Sequence, residues 1–216
     1  MKHFRDPVSG LTHFIAILIA LAGFYFLVQR PQPDSVSGTI TLVVFAGAMV
    51  LLYLTSTLYH WLPLSGEALK TMRKMDHMAI FIYIAATYTP VCLITLNDVW
   101  GWSILAGVWT MALLGILFKF FWLGAPRILY TAIYLLMGWF IVVGIYPLYQ
   151  QMASPGLLWM LTGGLFYTLG AIIYARKKPN PWPGIFGFHE IFHVMVMAGS
   201  FCHYLMIYFY AVPSGS

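Results

Sequence analysis

Charged side chains are scarce in this chain. Only 8% of its 216 residues are Asp, Glu, Lys or Arg, whereas 61% are hydrophobic and the mean hydropathy is +0.83. A soluble domain of this size needs more charge to cover its surface. The composition therefore excludes a soluble globular protein and predicts an all-α, polytopic membrane protein, with residues 1–216 forming a single domain.

Cysteine and acidic residues are also few. The two cysteines, Cys92 and Cys202, each lie in an apolar run without a Cys-x-x-Cys pattern, so we expect small buried residues and no structural disulfide. Six Asp and Glu against eleven Lys and Arg give a net charge of +5. In a membrane protein, that excess indicates topology and anionic lipid headgroups as partners rather than nucleic acid. The chain also lacks low-complexity tracts and convincing repeats.

Long apolar runs account for most of the chain. The first could be a signal peptide, but it is long for that role and no small-x-small cleavage site follows it, so we interpret it as an uncleaved helix. Pro90 should kink the third run, and the polar residues 62–75 before that run could form a short surface helix. The seven predicted transmembrane helices cover about 11–28, 39–61, 76–97, 101–121, 127–148, 156–175 and 186–210.

The basic residues divide unevenly between the two sides of this bundle. One side holds Arg30 alone. Lys and Arg are enriched in cytoplasmic loops, which predicts a cytoplasmic N-terminus and an external C-terminus. The other side holds the remaining basic residues, Lys2, Arg5, Lys70, Arg73, Lys74, Lys119, Arg127, Arg176, Lys177 and Lys178.

The last apolar run carries an ionisable cluster near its start, His189, Glu190 and His193. The two histidines are four residues apart, so on a helix they share one face and could bind one metal ion. Ionisable residues in a membrane-length segment are costly and suggest function. A simpler alternative is that both histidines lie in the headgroup region and only form hydrogen bonds with lipid or backbone.

His60 and Asp76, on two other predicted helices, fall at the same depth in the membrane as this cluster. His60, Asp76 and His189 each lie about 20 residues, and hence about 30 Å, from the outer end of their helix at 1.5 Å per residue. Ser56 lies one turn deeper than His60 on the same helix face. The sequence therefore predicts that polar residues from three helices converge in the cytoplasmic part of the bundle.

This convergence is typical of a catalytic zinc site, in which three imidazoles leave one ligand position for water. Zinc lowers the pKa of such a water, and Asp76 could orient the water or take its proton. Ser56 could form a hydrogen bond with a ligand, the water or a developing oxyanion. The alternatives are that Asp76 is the N-cap of its helix and that Ser56 only allows close helix packing.

We do not expect the histidines at positions 77, 203 and 13 to bind the metal ion directly. His77 points about 100° away from Asp76 on a helix, so we exclude it from direct metal binding. His203 is too far along its helix to share a metal with His193, and we expect it to be a hydrogen-bonded residue of the bundle. His13 lies at the right depth to support the site from behind the metal ligands.

Several motifs together resemble the hemolysin III family, the bacterial branch of the progestin and adipoQ receptor family. The resemblance covers essentially the whole chain and implies a multi-pass protein of the bacterial plasma membrane. The motifs are DPVSGLTHFIA at the first helix, STLYH (56–60), DHMAIFIYIAATYTP (76–90), LLGILFKFF (113–121), YLLMGW (134–139) and HEIFH (189–193).

The family is similar to alkaline ceramidases in combining Ser, Asp and three His in a seven-helix membrane fold. The resemblance implies that zinc is bound by His60, His189 and His193, and that Ser56 and Asp76 complete the site, with Asp76 holding the water. Hemolysin III proteins are named for reported cytolytic activity, and members have been linked to membrane lipid homeostasis. Adiponectin receptors in the wider family are associated with ceramide hydrolysis.

Three functions are consistent with these features. The first is a zinc-dependent hydrolase of a lipid amide or ester, with a membrane lipid as substrate or ligand. The second is an intramembrane metalloprotease, because HEIFH matches H-E-x-x-H, although this leaves His60 unused and no Asp-Gly motif supplies a third ligand. The third is a receptor, lipid sensor or cytolytic protein with structural zinc. The sequence leaves these open, together with the oligomeric state.

Overall fold

Seven long helices make up most of the described chain. The computed structural model describes residues 4–30 and 36–212, with side chains from residue 38 onward in the second range. All seven helices are long and apolar enough to cross a membrane, which confirms the predicted all-α, multi-pass fold. They are α1 (Pro7–Val28), α2 (Val36–Trp61), α3 (Gly66–Leu96), α4 (Val99–Phe121), α5 (Arg127–Gln151), α6 (Ser154–Arg176) and α7 (Phe188–Ala211).

The helices form a closed ring. Each helix packs against the next along the chain, and α7 returns to pack against α1. Large apolar side chains such as Leu18 and Leu114 are exposed on the outside of the ring, where lipid would cover them. Polar side chains, including His60, Lys119 and His193, are buried inside it. A membrane solvent favours this distribution, because polar groups need partners that lipid cannot provide.

The start of α3 differs from the sequence prediction. We expected a helix from about Asp76 after a separate polar connection, whereas the structure begins α3 at Gly66, with Ser65 at the N-cap position. Nothing between Gly66 and Pro90 interrupts a helix, because that stretch has no internal glycine or proline. The polar residues 66–75 are therefore the first turns of α3, and they extend the helix at the end that carries the candidate site.

Two helices change their geometry part-way along. Directly after Pro90, α3 continues as a π-helix over Val91–Leu96, as expected where proline cannot donate a backbone hydrogen bond. In α5, the segment Trp139–Gly144 is a 3-10 helix. Both irregular segments lie towards the end of the bundle opposite His60, His189 and His193.

Helices α6 and α7 approach each other closely through glycine. A Cβ atom built on Gly163 would lie 2.3 Å from the His203 ring, and one built on Gly199 would lie 2.7 Å from the Tyr167 ring. Small residues at such contacts let membrane helices pack tightly. This packing fixes α7, which carries two of the three candidate metal ligands.

The basic residues collect at one end of the ring. Arg5, Arg73, Lys119 and Arg127 lie near the ends of α1, α3, α4 and α5 that face the histidine end, whereas Arg30 follows the opposite end of α1. Lys2 lies outside the described residues. Which end faces the cytoplasm stays a prediction from the positive-inside rule.

Candidate metal centre

Three imidazoles from two helices meet inside the bundle. His60 lies in the last turn of α2, and His189 and His193 lie in the first two turns of α7. Their ligand-capable nitrogens all lie within 4.8 Å of one another. The Nε2 atoms of His60 and His189 are 3.1 Å apart. His60 and His193 are buried, and His189 is half-buried.

The Nδ1 atoms of two of these rings are held by other groups. Nδ1 of His60 lies 3.2 Å from the Asp6 carboxylate. Nδ1 of His193 lies 3.2 Å from the Ser9 carbonyl and 3.0 Å from the Thr12 hydroxyl. The Thr12 hydroxyl donates its own proton to the Ser9 carbonyl, so Nδ1–H of His193 is the donor in these contacts. Both rings therefore keep their Nε2 lone pair for a ligand.

The segment before α1 holds His60 in place. The backbone N–H of Asp6 donates to the His60 carbonyl at 2.9 Å, and the Trp61 indole donates to the Pro7 carbonyl at 3.1 Å. The hydrogen bond from His60 lowers the pKa of Asp6 below its ordinary value. Asp6 is therefore an ionised acceptor at neutral pH, which keeps the proton of His60 on Nδ1.

The donor set fits a first-row metal ion. Metal–nitrogen bonds of 2.0–2.1 Å in a tetrahedral site place neighbouring nitrogens about 3.3 Å apart, close to the 3.1 Å between His60 and His189. Uncharged imidazoles suit zinc, and also copper, nickel or iron. The three predicted ligand residues could therefore hold a metal ion.

Asp76 and Ser56 lie beside the histidines. Ser56 lies one turn before His60 on α2, and Asp76 lies on α3, which packs against α2. Both residues line one cavity together with the histidines. Asp76 is ten residues inside α3, so the alternative that it is the N-cap is wrong. The catalytic roles of Asp76 and Ser56 stay predictions.

Glu190 is directed away from the histidine cluster. Its carboxylate accepts hydrogen bonds from the Ser9 hydroxyl and, at 2.8 Å, from the Gly187 backbone N–H. The contact with Gly187 caps the start of α7, and the contact with Ser9 joins α7 to α1. The arrangement gives Glu190 a structural role at the helix terminus.

The other histidines among the described residues, His13, His77 and His203, lie outside the cluster. His203 forms a hydrogen bond with the Met160 carbonyl at 3.1 Å. His77 packs beside the Tyr130 ring, with centroids 5.4 Å apart. His13 stacks on His193 at a centroid distance of 3.8 Å, so it supports the site from behind one ligand.

A cavity connects the histidines to the interior of the ring. It measures about 300 Å³, and residues from α2, α3, α5, α6 and α7 line it with a surface that is mostly apolar. A second cavity of about 400 Å³ shares Tyr88, Trp139 and His203 with the first. The second cavity is lined by residues such as Val142 and Leu158, which are exposed on the lipid-facing surface. The two cavities therefore adjoin each other, and the second lies next to the outer surface between α5 and α6.

Comparison with known proteins places the whole chain in one group. The family model described as "Haemolysin-III related" matches residues 1–204. The chain belongs to the haemolysin-III related family.

Individual relatives agree with this assignment. The chain is 34% identical to "Hemolysin-3" of Bacillus cereus over 98% of this chain and 94% of the relative. It is 33% identical to "Hemolysin-3 homolog" of Bacillus subtilis (strain 168) over 96% of this chain and 95% of the relative. It is also 26% identical to "Adiponectin receptor protein" of Drosophila melanogaster over 89% of this chain and 48% of the relative.

Sequence reasoning missed the residues that orient the histidines in this haemolysin-III related chain. Asp6, Ser9 and Thr12 recur every three residues at the start of the first apolar run. On a helix that spacing places them along one face. The signal was therefore present, although it gives no indication of which histidine each residue would contact.

Proposed function

We propose that this protein is a zinc-dependent hydrolase that cleaves an amide or ester bond in a membrane lipid. One observation carries the proposal: three imidazoles within metal-binding distance of one another, a carboxylate and a hydroxyl line a mostly apolar cavity inside a membrane-spanning bundle. A site of this composition combines hydrolytic groups with a space suited to an acyl chain.

Zinc would be held by His60, His189 and His193, where it would supply Lewis-acid chemistry towards a carbonyl and a water molecule. Asp76 would accept a proton from the attacking water and later deliver it to the leaving amine or alcohol as the C–N or C–O bond breaks. Ser56 would donate a hydrogen bond to the oxyanion that develops on the carbonyl oxygen. The products would be a fatty acid and an amine or alcohol.

The two adjoining cavities support a lipid as substrate. An acyl chain could enter past Val142 and Leu158 and lie against Trp139, with its polar bond directed to the histidines. This path keeps the chain in apolar surroundings along its length, so entry from the bilayer has a small desolvation cost.

Glu190 argues against the metalloprotease alternative. A protease of the H-E-x-x-H type uses its glutamate as general base, whereas here that carboxylate contacts Ser9 and Gly187. The receptor or sensor alternative draws support from the name of the Drosophila relative. It differs from the hydrolase proposal in requiring bound metal without turnover.

The test is release of fatty acid by purified, zinc-loaded protein in detergent from a panel of lipid amides and esters, with ceramide as the first substrate. We expect Asp76→Asn to lower the rate by about 10²–10⁴-fold, the usual contribution of a general acid–base group, with zinc content unchanged. Asp98→Asn is the matched control, because Asp98 caps α4 at the opposite end of the bundle.

Two results would overturn the hydrolase proposal. One is zinc-loaded protein that cleaves no member of the panel, which would favour a structural metal in a sensor. The other is full activity in Asp76→Asn, which would remove the proposed proton acceptor.

A further inference from the structure

A second polar group of residues lies in the wall of the same cavity, where α3, α4 and α5 meet. We call it the cationic corner and define it as Arg73, His77, Lys119, Arg127 and Thr131. Arg73, His77, Arg127 and Thr131 line the cavity directly. None of these residues belongs to the metal centre.

Three polar atoms of the cationic corner are buried without a partner. Nζ of Lys119, Nδ1 of His77 and Oγ1 of Thr131 have no hydrogen-bond partner within the described residues. The three residues are 0%, 6% and 5% exposed. Buried polar groups are nearly always satisfied, so three such atoms on the packed helices α3, α4 and α5 indicate that a ligand completes their hydrogen bonds.

Tyr130 connects the members of the cationic corner. Nζ of Lys119 lies 3.4 Å from the centroid of the Tyr130 ring, and the His77 ring lies 5.4 Å from it on centroids. The Tyr130 hydroxyl lies 3.1 Å from that of Tyr174. The Arg127 guanidinium in turn lies 4.4 Å from the Tyr174 ring. Lys119 and Arg127 therefore each contact one ring of the Tyr130–Tyr174 pair.

The charge of the cationic corner is strongly positive. Arg73, Lys119 and Arg127 each carry a positive charge at neutral pH. No ion pair joins Arg73, Lys119 or Arg127 to a carboxylate of the described residues. A buried lysine without a counter-ion is costly inside a membrane protein and calls for an anionic partner.

We propose that the cationic corner binds a phosphate group, and that its main source is the headgroup of an anionic membrane lipid. A phosphate offers several acceptor oxygens in a tetrahedral arrangement, which suits donors that come from three helices. Lysine and arginine are the residues that hold phosphate in proteins. Free phosphate or a soluble phosphate ester presents the same chemistry, and the test below separates the two sources.

The position of the cationic corner gives this binding a consequence for the metal centre. Arg73, His77, Arg127 and Thr131 line the same cavity as the three histidines, and His77 directly follows Asp76 in α3. A phospholipid held at the corner would have its ester bonds within the same cavity as the three histidines. The interpretation of the bound lipid as substrate rests on the proposed hydrolase function, whereas the binding itself does not.

The experiment is a titration followed by native mass spectrometry of the purified protein in detergent. The probes are phosphatidylglycerol, diacylglycerol with the same acyl chains, and inorganic phosphate. We expect the wild type to bind phosphatidylglycerol at least about tenfold more tightly than diacylglycerol, as one or two charge-assisted hydrogen bonds would give. Lys119→Met should remove most of that preference.

Two further variants make the titration decisive. Thr131→Val is nearly isosteric and should weaken phosphatidylglycerol binding by several-fold even if Lys119→Met fails to fold. Arg176→Gln is the matched control, because it removes an exposed positive charge from the end of α6 and should leave the preference unchanged.

Each result has a defined meaning. Phosphate binding that both corner variants weaken, without preference for the phospholipid, supports an oxyanion site and assigns it to a free anion. Equal binding of the two lipids together with no phosphate binding overturns the proposal. Equal losses in Lys119→Met and Arg176→Gln also overturn it, because they would indicate general surface charge. Failure of the lipid hydrolysis assay leaves this binding test unaffected.

Discussion

The metal centre and the cationic corner lie in one cavity but differ in how their polar atoms are satisfied. In the metal centre, Nδ1 of His60 and Nδ1 of His193 each have an acceptor from the α1 segment, Asp6 for the first and Ser9 for the second. In the cationic corner, Nζ of Lys119 and Nδ1 of His77 have no hydrogen-bond partner among the described residues.

The difference indicates two ways of preparing a site. Partners supplied by the chain fix the rings of His60 and His193 and their tautomers before a metal arrives, so these two ligands are preorganised. Unpartnered buried donors cost about 1–3 kcal/mol each, so the cationic corner gains stability only when a ligand binds. We therefore expect substitutions in the first site to change metal content, and those in the second to change lipid binding.

The largest expected effect is at the metal centre. We expect about one zinc ion per chain in the wild type and almost none in His60→Ala, His189→Ala or His193→Ala, since two imidazoles rarely retain zinc. Because the metal joins α2 to α7, its loss should also lower the melting temperature by linkage. Elemental analysis and thermal unfolding of the purified proteins measure both effects.

His203→Ala is the matched control for this series. His203 is also an α7 histidine inside the bundle, but its ring contacts the Met160 carbonyl rather than the cluster, so its loss should leave zinc content unchanged. If the wild type contains no metal, or if His60→Ala retains full zinc, the three-histidine site is wrong and the hydrolase proposal is withdrawn with it.

Much of the fold could be predicted because membrane helices follow composition. Apolar runs of sufficient length located all seven helices, and the His-x-x-x-His spacing with the level of His60 identified the cluster that the structure brings together. The start of α3 could not be placed, because polar residues 66–75 read equally as a loop, a surface helix or the exposed first turns of a long helix.

The cationic corner could not be derived from the sequence. Lys119 lies near the end of an apolar run, where a lysine ordinarily extends its amine to the interface. Thr131 is one of many threonines in the apolar runs. The sequence excludes His77 from direct metal binding, because it points away from Asp76, and assigns it no other ligand. Only the packing of α3, α4 and α5 places Lys119 and His77 beside Tyr130, and sequence spacing carries no information on that contact.

Glu190 tests whether a residue beside the metal centre can have a purely structural role. It lies between two candidate ligands in sequence, but its carboxylate contacts Ser9 and Gly187. We expect Glu190→Gln to retain zinc and most hydrolytic activity but to lose about 1 kcal/mol of stability, the usual contribution of one hydrogen bond. The cause is weaker acceptance from Ser9 and Gly187. Thermal unfolding, elemental analysis and the lipid assay together measure these outcomes.

Glu67→Gln is the control for this change, because Glu67 is an exposed first-turn residue of α3 that pairs with Lys70, and surface pairs contribute little. A Glu190→Gln protein that folds normally but has lost activity would contradict the structural role. It would favour the metalloprotease chemistry of HEIFH instead.

The smallest expected effect concerns the acceptor behind His60. Asp6→Asn should leave one zinc per chain but weaken its affinity by less than about tenfold, the lower limit for a residue that orients a metal ligand. The asparagine oxygen can still accept from Nδ1–H, although without the negative charge. The Asp6 side chain is also 49% exposed, so water can replace part of the lost interaction. Titration against a competing zinc chelator measures the change.

Thr12→Val provides the comparison for Asp6→Asn. It removes one of two acceptors at Nδ1 of His193 but leaves the Ser9 carbonyl at 3.2 Å, so its effect on zinc affinity should be smaller still. Complete loss of zinc in Asp6→Asn would mean that Asp6 is itself a ligand. A larger loss in Thr12→Val than in Asp6→Asn would mean that the buried acceptors of His193, rather than the charged acceptor of His60, set the orientation of the cluster.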